Sequence, residues 1–145
     1  MKTEDFLDAL KEYIEDNFST FLALETGSLP DFKNIEIGGR DPFDCKKYPT
    51  LMIHLSDESP EWESLTSIES EIRIDIAISI VNPKVDTAHR YQLRYAEALK
   101  DMFAADPTMG NIALIAGLEN IRHYPPGAGG QGGPAVSVFD FVVRL

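Results

Sequence analysis

The 145-residue sequence predicts an α+β fold: two layers, a mostly antiparallel β-sheet with two helices packed on one face, in the order α-β-β-β-α-β-β. Three observations carry this. Thr3–Leu24 and Asp86–Pro107 repeat apolar residues at three- and four-residue steps, which makes one apolar stripe on each of two helices. "SEIRIDIAISIV", residues 70–81, sets isoleucine at 72, 74, 76, 78 and 80, an alternation that a strand puts on one face and a helix scatters. Proline and glycine clusters punctuate the remaining apolar runs at strand-like spacing.

In the first helix the stripe is Phe6, Leu7, Leu10, Ile14, Phe18, Phe21 and Leu22. Thr3 is placed to cap it, and Glu4 and Asp5 suit the positive end of the helix dipole. Gly27 and Pro30 stop it. "NIEIGG" and "PTLMIHLSD" follow as two strands around the loop "GRDPFDCKKYP". Residues 56–71 hold six acids, no base and Trp62, and read as a solvated excursion. The isoleucine strand comes next, with Arg73, Asp75, Ala77, Ser79 and Val81 on its other face. At ten or more residues it spans roughly 35 Å, well past an ordinary strand, so it should outrun its own sheet or pair with another chain. "NPKVD" turns the chain into the second helix, whose stripe is Ala88, Tyr91, Tyr95, Ala98, Leu99, Met102 and Phe103, with Asp86 or Thr87 as cap and Pro107 as stop. "NIALIAG" leads into the strand "LENIRHYP", and "PAVSVFDFVVRL" is the last strand.

Length and composition describe one domain, residues 1–145, with 43% apolar residues and no need of a metal or disulfide to fold. The single cysteine, Cys45, excludes an internal disulfide and suits a reducing compartment. The acidic amphipathic start lacks the basic end and apolar stretch of a secretory signal, and no window is long and apolar enough for a membrane span. A net charge of −11 disfavours binding to nucleic acid or anionic lipid.

The candidate sites are few. Five glycines lie between Pro126 and Pro134, but no lysine and no helix follows them, so the context of a phosphate loop is missing. The expected role is a long hairpin tip that orders against a neighbouring subunit. His54, His89 and His123 lie in three different elements without zinc-type spacing, and no acidic stretch has calcium-loop spacing. Cys45 sits between Asp44, which opposes a thiolate, and Lys46 and Lys47, which favour one. No catalytic residue, cofactor site or metal site is assigned. On the second helix, Tyr91 and Tyr95 alternate with Arg90 and Arg94, a pairing of residue types favoured at subunit contacts.

The order of these parts resembles the tail-terminator, or tail-completion, proteins of long-tailed bacteriophages and prophages, the Mu-like minor tail proteins among them. An amphipathic helix comes first. The strand "YPTLMIHLSDE", the long strand "SEIRIDIAISIV", the helix "DTAHRYQLRYAEALKDMF" and a hairpin ending in "AVSVFDFVVRL" follow. The resemblance implies a non-enzymatic virion protein of the tail and neck, assembled in the host cytoplasm. It implies a homo-oligomeric ring, typically a hexamer, that caps the tail tube protein and meets the head-completion or connector protein. DNA would pass through without specific binding, and an acidic lumen would keep it from being retained. A head-to-tail ring needs two different patches per subunit. One candidate patch is Arg73 and Asp75 with the hairpin residues Tyr124, Gly127, Gly129, Gly130, Gln131, Gly132 and Gly133; the other is Tyr91 and Arg94. Two other readings stay open: an adaptor that binds a peptide along a sheet edge, and a small hydrolytic enzyme built from Cys45, His54 and loop acids.

Overall fold

The computed structural model describes residues 2–38, 41–64, 67–113, 115–128, 130 and 132–145, with backbone alone for 59–64 and 67–70. Among these residues the chain forms α1 (Thr3–Leu22), β1 (Asn34–Ile37), β2 (Thr50–Ser64), β3 (Ser67–Ile80), α2 (Val85–Ala105), β4 (Ile115–Tyr124) and β5 (Ala135–Arg144). The expected order of elements is the observed one, and the fold is α+β. The five strands make one sheet in the order β1-β2-β3-β5-β4. β1 lies parallel to β2, and the other neighbouring pairs are antiparallel.

The alternating isoleucines fix the middle of that sheet. Ile72, Ile74, Ile76, Ile78 and Ile80 are all buried on one face of β3, between β2 and β5. α1 lays Phe6, Leu10, Ile14, Phe18 and Leu22 against them, with Leu7 and Phe21 half-buried on its flanks. From α2 come Tyr95, Ala98, Leu99, Met102 and Phe103, and β5 adds Phe139, Phe141 and Val143. Phe18 stacks on Phe32 at 4.6 Å, and Phe103 meets Phe141 edge-on at 4.8 Å. The first pair ties α1 to the segment that leads into β1, and the second ties α2 to β5.

Several boundaries differ from expectation. α1 ends at Leu22, and its N-cap position is Lys2 rather than Thr3. Thr3 instead donates from its hydroxyl to a Glu58 carboxylate oxygen at 2.5 Å, which ties the helix start to β2. α2 starts at Val85 with Lys84 at the cap position, and neither Asp86 nor Thr87 caps it. Asn82 accepts the Lys84 amide at 3.0 Å just before the helix.

The largest correction concerns residues 56–71. They are strand, not a solvated excursion: β2 continues to Ser64, and β3 returns from Ser67 with Ser64 opposite it. The acidic residues hid this, because a ribbon with no buried face has no apolar alternation to read. β5 reaches only Arg144, which pairs with Glu71. Among the described residues, the hairpin beyond that level is therefore paired only with itself, as a two-stranded arm.

β4 covers the expected strand "LENIRHYP" as far as Tyr124 and starts three residues earlier, at Ile115, with a bulge between Leu118 and Asn120. Its start is held by Asp106, which accepts from the Thr108 amide at 3.1 Å, the Thr108 hydroxyl at 2.6 Å and the Gly110 amide at 2.9 Å. The glycine–proline segment joins β4 directly to β5. Gln92, which the apolar stripe of α2 omits, locks that hairpin to the helix. Only 2% exposed, it donates from Nε2 to the carbonyls of Tyr124 at 3.0 Å and Val136 at 2.9 Å. None of the described buried side-chain nitrogen and oxygen atoms lacks a hydrogen-bond partner.

Replacing Gln92 by leucine strands two carbonyls in an apolar setting and should cost about 1–3 kcal/mol. Ile76→Ala should cost about 2–5 kcal/mol through the cavity it leaves under α1 and α2. Urea unfolding monitored by circular dichroism checks both, and unchanged midpoints would contradict the packing described.

Candidate functional site

With both helices on one side, the other side of the sheet is bare of helices, and the register sorts it into rows. Thr50, Ser79, Val136 and Tyr124 form the first row, and Met52, Ala77, Val138 and Arg122 the second. His54, Asp75, Asp140 and Asn120 make the third, and Asp57, Arg73, Val142 and Gly117 the fourth. The loop after β1 crosses the first row. Ser79 donates its hydroxyl to the Pro42 carbonyl at 2.6 Å, and the Phe43 ring meets Tyr124 edge-on at 5.5 Å. Small residues on β3 leave room for this strap, so Ala77 and Ser79 are buried rather than presented. Above it lies an open cleft of about 270 Å³ bordered by Pro42, Met52, His54, Asp75 and Val138.

The third row carries the site's electrostatics. Asp75 and Asp140 face each other across β3 and β5. Burial pushes the Asp75 carboxyl up from its usual range, and the hydrogen bond and negative charge of Asp140 push it the same way. His54 and Arg122 pull it down, by less. Arg122 also donates to Asp140 at 3.2 Å. In the row above, Arg73 reaches across to Glu119 at 2.7 Å, a solvent-exposed pair of small energetic weight. This face can present charge and hydrogen-bonding groups on a rigid frame.

The expected interface residues fall into three places. Arg73 and Asp75 share the bare face. Tyr124 lies at the far end of β4 beneath Phe43, and Gly127, Gly130, Gly132 and Gly133 belong to the hairpin beyond it. Gly129 and Gln131 lie outside the described residues. Tyr91 and Arg94 sit on α2, where the Arg94 guanidinium carbon lies 5.6 Å from the Tyr91 ring centre. Tyr91 and Tyr95 line a cleft of about 330 Å³ with Pro30, Lys33, Tyr48 and Val81. Phe43, His54 and Asp140 were not singled out by sequence for this surface; only pairing register brings Asp140 beside Asp75.

Cys45 and His54 line two different clefts, with Met52 between them in both. Burial pushes the Cys45 thiol up; the Ser79 hydroxyl opposes this, and the charges of Glu36, Asp41 and Asp44 add to it. The thiol form is thus favoured, chiefly by burial. His123 is held down by burial and by the neighbouring His89 and Lys100, while its Nδ1 lies 2.8 Å from the Ser137 hydroxyl. Among the described residues, no three His, Cys, Asp or Glu side chains form a metal-holding group. No helix among them is long and apolar enough to cross a membrane.

Both edges of the sheet are open. β1 covers β2 only as far as Ile53, so from His54 to Ser64 β2 is paired on one side alone among the described residues. On the opposite edge, β4 is paired with β5 alone among the described residues, and Ile115 and Leu118 are 58% and 38% exposed. A scan of known protein families finds no model that matches this chain, and a search of curated proteins finds no match.

The carboxyl pair has a pH signature. Asp75 holds its proton more tightly folded than unfolded, so its contribution to stability is full below the ordinary carboxyl range and is lost as pH rises through the raised value. Asp75→Asn should therefore shrink the loss of stability between about pH 4 and about pH 7. Asp140→Asn should bring the Asp75 titration, followed by carboxyl NMR, down toward the ordinary range. A midpoint that stays put would contradict the pairing.

Proposed function

We propose that this chain is a ring-forming virion-assembly protein, the tail terminator of a long-tailed phage or prophage. One observation carries the reading: a single sheet whose two edges are both open among the described residues and differ in kind, a long acidic arm on one side and a ten-residue strand with exposed Ile115 and Leu118 on the other. A head-to-tail ring needs two unlike patches on opposite sides of one subunit. The resemblance in the order of elements supports the same class. The ring caps the tail tube, ends its growth and offers its other face to the head connector. The bare sheet face, with Asp75 and Asp140, then lines the passage for DNA, where negative charge repels phosphate and discourages retention. Its work is done by shape and charge, with no bond made or broken.

The test is assembly. Purified protein should give ring particles by light scattering and negative-stain imaging, alone or on tail tubes, and should stop tubes from lengthening when added to their polymerising subunits. Tubes that grow on unchanged, with no protein bound at their ends, would overturn the reading. A stable monomer that takes up one extended peptide along β4 would favour the adaptor instead.

A further inference from the structure

The two open edges belong together. We propose that the free edge of β2, residues 54–64, pairs with β4, residues 115–124, of the next copy, so that one continuous antiparallel sheet runs around the ring. The inference rests on the ring reading and names its contact.

Strand direction supports it first. β2 and β5 run one way, and β3 and β4 run the other. A copy rotated about an axis along the strands keeps its directions, so β4 of one copy meets β2 of the next antiparallel and the alternation continues. The two edges bound opposite sides of the same sheet, which is what a head-to-tail contact requires. The arm also needs a partner. A two-stranded ribbon is marginal in water, and a third strand gives it the pairing that its own sheet does not supply.

Charge fits the same pairing. Residues 57–71 carry Asp57, Glu58, Glu61, Glu63, Glu69 and Glu71 and no lysine or arginine. β4 itself carries Glu119 and Arg122, which offset one another, and Lys100 on α2 lies close enough to depress His123. In a chain of net charge −11, the most acidic segment would thus meet an edge strand with no net negative charge. The contact also covers Ile115 and Leu118, two of the exposed large apolar side chains. The bulge between Leu118 and Asn120 twists that edge, which limits indiscriminate pairing.

Disulfide trapping reads the contact directly, because neighbouring strands bring Cα atoms within about 4.5–5.5 Å, inside disulfide range. In the unstaggered register His54 is level with Asn120, and Asp57 with Gly117. Pairing that covers the arm shifts these rows by four, which brings His54 level with Tyr124 and Asp57 with Arg122, so both registers are covered in a Cys45→Ser chain: His54→Cys or Asp57→Cys with Gly117→Cys, Asn120→Cys, Arg122→Cys or Tyr124→Cys. Mild oxidation should turn at least one double variant into a ladder that ends at the subunit number of the ring, while single variants mixed across the two strands give dimers only. Amide exchange in the unaltered protein should slow at least tenfold along 115–124 on assembly, which covers the case of variants that fail to fold. Rings with no ladder and no added protection overturn the edge pairing and leave the ring reading standing. A ladder in a protein that never engages a tube supports the edge pairing and overturns the terminator reading. A monomer that gives neither, with or without tubes, overturns both.

Discussion

Isoleucine at every second residue of β3 constrains the molecule more than any other feature. A strand's side-chain period is two, so a slip of one residue against β2 or β5 would turn Ile72, Ile74, Ile76, Ile78 and Ile80 toward the bare face. That slip would unbury five large side chains at about 1.5–3 kcal/mol each, as much as a small domain's whole stability. The register of three strands is therefore fixed by one of them. Once it is fixed, the lengths of the neighbours decide where pairing ends: β5 stops at Arg144, β1 stops at Ile37, and β2 and β3 continue past both. The arm and the open edges are consequences of a rigid centre with unequal neighbours.

The same register composes the bare face. Because β3 alternates isoleucine with arginine, aspartate, alanine and serine, one half of its outer side is small and the other charged. The small half accepts the strap through Pro42 and Phe43; the charged half stays open. Asp75 meets Asp140 because Ile74 and Ile76 must face the helices, and Phe139 and Phe141 with them. Two carboxyls are thus brought together by the apolar side of the sheet, at an electrostatic cost that Arg122 and His54 partly offset.

The fold was legible because its strongest signals are periodic. Both helical stripes, the isoleucine strand and the final strand announce themselves through burial on one side. What was illegible lacks that signature. The arm has no buried face, so its strand character rests on backbone pairing that composition does not report. Gln92 reads as an interruption of an apolar stripe, yet it serves two carbonyls that an apolar residue would leave bare. The meeting of Asp75 with Asp140 needs the pairing of β3 and β5, sixty-odd residues apart in the chain, which a local pattern does not contain. The two expected patches rest on residue types, and tyrosine, arginine and glycine do not say which of them share a surface.

The glycine segment shows how context decides between chemistry and scaffold. A phosphate cradle needs amides pointing outward from the start of a helix. Here the amides turn inward: Gly127 donates to the Gly133 carbonyl at 3.2 Å, Gly133 to Gly130 at 3.0 Å and Gly130 to Gly127 at 3.1 Å. Gly127, Gly130 and Gly132 adopt positive φ, which glycine allows without strain and which these turns require. The chain leaves as β5 rather than as a helix, so no helix dipole adds to them. Glycine is used for tight reversal between two strands, with Gln92 pinning the base of the hairpin from beneath. An anchored base is what a surface loop needs if it is to meet a neighbour without disturbing the sheet that carries it.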